Sequence, residues 1–266
     1  RAARPVRIAV ESAGGRIVTR EAALIADGAH DTADYRYLER LVKFLLWSVG
    51  GFRVTLCGAD ALTERLSRDY APSGARVFDA AFMDDVFERG FTVAACREAD
   101  FPAARGEAIS IGGHTDGCRI GFDAGGSDRK VSAVVDGEAV YAEEVVWHPK
   151  TQSDPRYHYA EIVKAFETAA GKMPRVDAIG VSSAGVFVGN SPMVSSLFFK
   201  VPREERAFVR DIYSAAARAV GGPPIAVAND GDVTALAGAM ELRAGCVMGL
   251  AMGTSEAVGY VDAEGN

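Results

Sequence analysis

Three short stretches carry side chains suited to moving a phosphate group. "FDAGGSDRK" (122–130) sets Asp123 just ahead of Gly125, Gly126 and Ser127. "VANDGDVTALAG" (227–238) places Asn229 and Asp230 together at the end of an apolar run, and "AMGTSEAVG" (251–259) puts Gly253, Thr254 and Ser255 after another. Glycines let backbone N–H groups close on an anion, and the hydroxyls of Ser127, Thr254 and Ser255 add donors. A carboxylate such as Asp123 suits a magnesium ion that keeps part of its water shell. One such as Asp230 can accept a hydroxyl proton. Each feature also has a plainer reading. A Gly-Gly-Ser tip is commonly just a turn, Asn-Asp before a helix is commonly an N-cap, and Asp232 is a further candidate for that cap. The Ser182-Ser183 pair in "GVSSAGVFVGN" (180–190) can satisfy nearby backbone groups.

The elements that must position these residues alternate strand and helix almost throughout, which makes an α/β chain. "RIAVESAGGRIVTREAAL" (7–24) reads as a hairpin around Gly14-Gly15. Tyr35, Leu38, Leu41, Leu45 and Val49 recur at helical spacing before the Gly50-Gly51 stop. Strand 53–57, helix 61–70 and strand 91–96 follow, and the polar stretch 97–117 reads as a linker. Residues 1–115 are therefore expected to form a small α/β unit. Beyond them, the alternating runs 130–135 and 138–147 flank Asp136-Gly137, the strongest short hairpin signal. Segment 157–172 is an amphipathic helix with Ile162, Phe166 and Ala169 on one face, and 203–222 is a second. Segment 176–190 is a strand running into a glycine-containing loop. Segment 224–240 is a strand leading into a helix that starts at Gly231-Asp232, and 246–261 is a buried strand, a turn and another strand.

That order excludes two phosphate loops. A Walker loop opens a helix with Gly-Lys-Ser/Thr, whereas Lys130 falls inside a strand. A dinucleotide fingerprint needs strand, loop and helix, and here the glycine turn joins two strands. The net charge of −7, from 29 basic and 36 acidic residues, disfavours nucleic acid or an anionic membrane as partner. Cys57, Cys96, Cys118 and Cys246 form no CxxC pair, so they read as reduced, mostly buried thiols of a cytoplasmic protein. His114, His148 and His158 read as surface or linker residues.

Taken together, the motifs resemble those of the ROK (repressor, open reading frame, kinase) sugar kinases, within the actin-like ATPase or ribonuclease-H-like superfold. The resemblance covers roughly residues 118–266 and rests on four motifs in order. "FDAGGSDRK" is similar to the first phosphate motif, with Ser127 in place of threonine, and "VANDGDVTALAG" to the Asn-Asp motif. "AMGTSEAVG" is similar to the second phosphate motif, and "GVSSAGVFVGN" stands where the sugar loop would be. The resemblance implies ATP and Mg²⁺ as cofactors, with Asp123 holding the metal through water and Asp230 as catalytic base. Gly125, Gly126, Ser127, Gly253, Thr254 and Ser255 would grip phosphates, and Asn229, Ser183 and Gly185 would contact a hexose or amino sugar.

The same resemblance implies a first actin-like domain over 118–243 and the start of a second over 244–266, incomplete because residues 245–266 cannot build a domain. It leaves a homo-oligomer open. Two departures stand out. Ser255-Glu256-Ala257 replaces expected glycines, which keeps open a non-catalytic sugar- or nucleotide-binding member of the family, and a phosphatase or a kinase for a non-sugar acid ranks third. The repressors of this family begin with a winged helix-turn-helix, but residues 1–115 begin with a hairpin and hold fifteen basic against sixteen acidic residues.

Overall fold

The computed structural model describes residues 3–25, 30–106, 112–253 and 256–265. The chain forms two compact units, Arg1–Ala108 and Ile109–Asn266.

In the first unit, β1 (Ala3–Glu11) and β2 (Ile17–Ile25) form an antiparallel hairpin. Its turn runs through Gly14 and Gly15, both at positive φ, which glycine adopts without a Cβ clash. Helix α1 (Asp31–Val49) buries Tyr35, Leu38, Val42, Leu45 and Leu46 on one stripe and ends at Gly50, whose N–H bonds Leu46 O. Then come β3 (Arg53–Cys57), α2 (Asp60–Asp69), α3 (Val77–Phe87) and β4 (Thr92–Cys96). Strands β3 and β4 are parallel, and the sheet order is β2-β1-β3-β4. Helix α3 carries no clear one-faced pattern: Ala80, Met83 and Val86 are buried while Phe78 is exposed. The stretch read as a linker belongs partly to this unit. Residues Glu98–Asp100 form a 3₁₀ turn, and Arg105 exchanges backbone hydrogen bonds with Ile17.

In the second unit, β5 (Cys118–Ala124), β6 (Asp128–Val135) and β7 (Glu138–Val146) make the antiparallel meander. Helix α4 (Pro155–Ala170), β8 (Ala178–Ser183), the small hairpin β9 (Val186–Val188) and β10 (Ser191–Val194), α5 (Arg206–Ala219) and β11 (Ile225–Asn229) follow. The five-stranded order is β11-β8-β5-β6-β7, with β11, β8 and β5 parallel. One sheet face packs on α4 and α5, burying Ile120, Phe122, Val131, Ile179, Val181 and Tyr213 beside Ile162, Phe166 and Ile212. The opposite face presents small and polar residues such as Gly121, Asp123, Gly180 and Ser182 to open cavities.

Helix α6 (Asp230–Leu242) starts one residue earlier than the sequence suggested, capped by Asn229 Oδ1 accepting from Gly231 N–H at 2.9 Å. Asp232 is therefore not the cap. Helix α6 carries the two-stranded hairpin β12 (Val247–Met252) and β13 (Glu256–Val261). Glycine makes this approach close: a Cβ on Gly249 would meet Ala235 N at 2.2 Å, and one on Gly259 would meet Gly231 O at 2.3 Å. Strand β12 is not the buried strand expected, because only its α6 side is covered and Met248, Leu250 and Met252 are exposed.

All four cysteines are free; Cys57 and Cys118 are buried, while Cys246 is exposed. Among the described residues no helix is long and apolar enough to cross a membrane.

Candidate functional site

Strand direction gathers the motifs. The C-terminal ends of the parallel β5, β8 and β11 lie on one sheet edge, where the β5–β6 tip and the end of β7 also lie. That edge opens into a cleft of about 440 Å³ that holds Asp123, Gly125–Ser127, Asp230 and Gly253 together. Open-sheet α/β folds place ligands at such strand ends.

The hairpin tip needs its glycine, since a Cβ on Gly125 would sit 2.6 Å from Asp128 O. Trp147, fully buried after β7, braces it: Nε1 donates to Gly125 O at 2.8 Å, and its backbone N–H to Ser127 O at 3.1 Å. Strand alternation sorts the residues after the tip. Arg129 points to the core side and is fully buried, 2.9 Å from Glu161 of α4 and 3.5 Å from Glu143. Lys130 points the other way, with Nζ 2.8 Å from Asp128 Oδ1 and 3.8 Å from Asp123 Oδ2.

Ser182 stands between the two central carboxylates. Its Oγ donates to Asp230 Oδ1 at 3.2 Å, and Ser182 is the register neighbour of Asp123 across β5 and β8. Burial pushes both carboxyls above the ordinary aspartate range, partly offset at Asp123 by Lys130 and at Asp230 by Ser182. Asp128 moves the opposite way, held down by the Lys130 ammonium. Asp230 is therefore a stronger base than a solvated aspartate.

Several expected site residues lie elsewhere. Ser183 is fully buried on the core face and hydrogen-bonds Tyr213 Oη at 2.8 Å, so it cannot contact a substrate; Ser182 occupies the cleft side. The signal was present, because Ser183 has the same strand parity as Ile179 and Val181. Gly185 does not line the cleft. Its φ of 141° and a Cβ position 2.4 Å from Val194 O mark it as the close-packing point of the β9–β10 hairpin. Asn229 is likewise engaged structurally, accepting from Gly231 N–H and donating to Gly185 O at 2.8 Å. Thr254 and Ser255 lie outside the described residues. Glu256 opens β13, exposed and away from the cleft lining.

Residues that sequence reasoning missed are Asp128, Lys150, Ser196 and Thr234, all lining the cleft. His158 was misread as a surface residue. It is fully buried, with Nε2 3.0 Å from both Pro149 O and Leu197 O.

The oxygen donors of Asp123 and Asp128 fit a magnesium ion. Among the described residues no group of three His, Cys, Asp or Glu closes around an ion. A larger apolar cavity of about 810 Å³ adjoins the cleft over the Gly121 and Gly180 face and is bordered by Leu236 and Met240 of α6.

No family model matches the chain, and no curated protein does. Similar solved structures include ROK-family sugar kinases and hexokinases. A provisionally assigned N-acetylmannosamine kinase from Listeria monocytogenes is 22% identical, with a TM-score of 0.41 over 55% of this chain and 47% of that one. The ROK hexokinase of Thermus thermophilus is 16% identical, with a TM-score of 0.39 over 55% and 47%. A ROK-family transcriptional regulator, a homologue of the E. coli MLC protein, is 17% identical, with a TM-score of 0.43 over 61% and 40%. The chain thus spans under half the length of each of these proteins.

Proposed function

We propose that this chain carries the phosphoryl-transfer site of an ATP-dependent sugar kinase of ROK type, with its second unit built as part of an actin-like ATPase fold. One observation carries the reading: Asp123 and Asp230, 107 residues apart in sequence, line one cleft with the glycine tip, and Ser182, beside Asp123 in the sheet, hydrogen-bonds Asp230. A simple turn or helix cap has no need of that convergence.

In this reading, Gly125, Gly126 and Ser127 grip the phosphates from one side, and the Gly253 turn grips them from the other. Asp123, with Asp128 beside it, holds Mg²⁺ through water, and the ion offsets phosphate charge when it is bound. Asp230 takes the proton of the attacking sugar hydroxyl, a contribution of about 10²–10⁴ in rate. Ser182 orients Asp230. Ser196 and Ala184 lie on the sugar side, while Asn229 shapes that side through Gly185 rather than by touching the sugar. Transfer through a loose transition state asks the protein mainly for positioning and charge, which these groups supply.

The non-catalytic reading rests on Ser255-Glu256-Ala257 standing where glycines are expected. Glu256 opens β13 and is not among the cleft residues, so its charge by itself does not favour that reading. The test is ADP release by the intact protein with Mg-ATP against a panel of hexoses and amino sugars, beside Asp230→Asn. Sugar-dependent release that the variant loses, with sugar binding nearly intact, supports the kinase. Equal release by the variant removes Asp230 from the mechanism, and binding without release by the wild type favours the non-catalytic member.

A further inference from the structure

The cleft is short of positive charge. Three carboxylates, Asp123, Asp128 and Asp230, line it against two lysines, Lys130 and Lys150. Lys130 is already committed, 2.8 Å from Asp128 and 3.8 Å from Asp123. Lys150 differs: among the described residues it has neither an ion pair nor a side-chain hydrogen bond. A half-buried lysine that lines the same cleft as Gly126 and Ser127 and has no carboxylate of its own is free to pair with an anionic ligand.

The turn that carries Lys150 is built. Residues Pro149–Thr151 form a 3₁₀ turn closed by Thr151 Oγ1 donating to His148 O at 2.9 Å. His158, fully buried, clasps this turn to the 196–198 turn. Its Nε2 lies 3.0 Å from both Pro149 O and Leu197 O, and because carbonyls only accept, Nε2 carries the proton. Trp147, three residues earlier, ties the same segment to the Gly125–Ser127 tip. Two buried rings thus fix the backbone of Lys150 against both the phosphate tip and the Ser196 turn, and such a supported backbone loses little freedom on binding.

We propose that Lys150 is a phosphate-binding residue of the cleft, receiving the terminal phosphate of the nucleotide, with His158 and Trp147 as the positioning residues that hold its turn. This rests on the kinase reading and adds to it the cation that neither the glycine turns nor Lys130 can supply.

The experiment titrates the intact protein calorimetrically with the Mg²⁺ complexes of a non-hydrolysable ATP analogue and of ADP, in wild type, Lys150→Met, Lys150→Arg and Trp147→Phe. Lys150→Met is expected to weaken the triphosphate analogue about tenfold or more while ADP changes less than about twofold. Lys150→Arg should restore most of the loss. Because Lys150 has no partner to leave behind, its thermal midpoint should match wild type, which separates lost recognition from lost fold. Trp147→Phe keeps the ring but removes the bond to Gly125, and it should weaken the triphosphate by a smaller factor that Lys150→Met does not add to in full. Unchanged triphosphate affinity in Lys150→Met overturns the proposal while leaving the kinase reading intact, and equal weakening of ADP and triphosphate overturns the assignment to the terminal phosphate. A wild type that binds neither nucleotide removes the kinase reading, and this inference with it.

Discussion

At the residue scale, the decisive pair is Ser182 and Ser183, neighbours that face opposite sides of β8. Ser182 donates to the Asp230 carboxylate in the cleft, and Ser183 satisfies buried Tyr213. Ser183→Ala should lower the thermal midpoint, with a cost of about 1–3 kcal/mol for leaving the Tyr213 hydroxyl unpaired, and leave the sugar KM unchanged. Ser182→Ala should do the reverse, lowering kcat with little change in stability. Asp230 makes a prediction of its own. Burial raises its carboxyl above the ordinary value of about 3.9, so under the proposed kinase mechanism the base is lost, and kcat/KM falls on the acid side, at a higher pH than for a solvated aspartate. The same shift works against the fold: the ionised form is penalised in the native state. Stability is then greatest below the unfolded pKa, declines as pH rises through the native pKa, and stays reduced above it. Asp230→Asn should therefore melt at a higher temperature than wild type at neutral pH, and the difference should vanish near pH 3. A lower midpoint at neutral pH would contradict the burial argument.

At the element scale, the site depends on two clasped hairpins. The β5–β6 tip is held by Trp147 and by the buried Arg129 paired with half-buried Glu161, and the β12–β13 hairpin sits on α6 through glycines. Gly259→Ala forces a methyl against the backbone of Gly231 and Asp232, atoms that cannot rotate away. It should cost roughly 1–3 kcal/mol and, by lifting the hairpin that ends in the Gly253 turn, weaken nucleotide binding; thermal melts and nucleotide titration read the two effects. At this scale the sequence was largely legible. Glycine stops, the Asp-Gly hairpin signal and the stripes of α1, α4 and α5 are local and periodic, and they fold as read. Helix α3 was not legible, because Phe78 and Val77 sit on its exposed side and blur the stripe. Strand β12 was overread as buried, since an apolar run does not say how many of its faces are covered.

At the scale of the whole molecule, charge sets an expectation about partners. With a net charge of −7 and a balanced first unit, the expected outcome is no retention on a duplex DNA column at roughly physiological salt. Salt-sensitive retention in a gel shift would reopen a regulatory role. The fold's larger contribution is convergence. Five-stranded order β11-β8-β5-β6-β7 carries the ends of β5, β8 and β11 to one edge, so residues far apart in the chain share one cleft.

The amino-acid sequence by itself determined the strand and helix order of the second unit apart from the β9–β10 hairpin, which read as a loop, together with the glycine tip, and Asp123 and Asp230 as carboxylates at strand ends. These follow from backbone sterics and from side-chain periods of two and 3.6 residues, which act over a few positions. Only the tertiary structure decided that Lys150 and Ser196 reach the same cleft, that Asn229 is spent on Gly231 and Gly185, and that His158 lies inside the protein. Those outcomes depend on which turns are packed side by side, which follows from sheet order and buried hydrogen bonds between segments up to 48 residues apart. No local pattern encodes such neighbours.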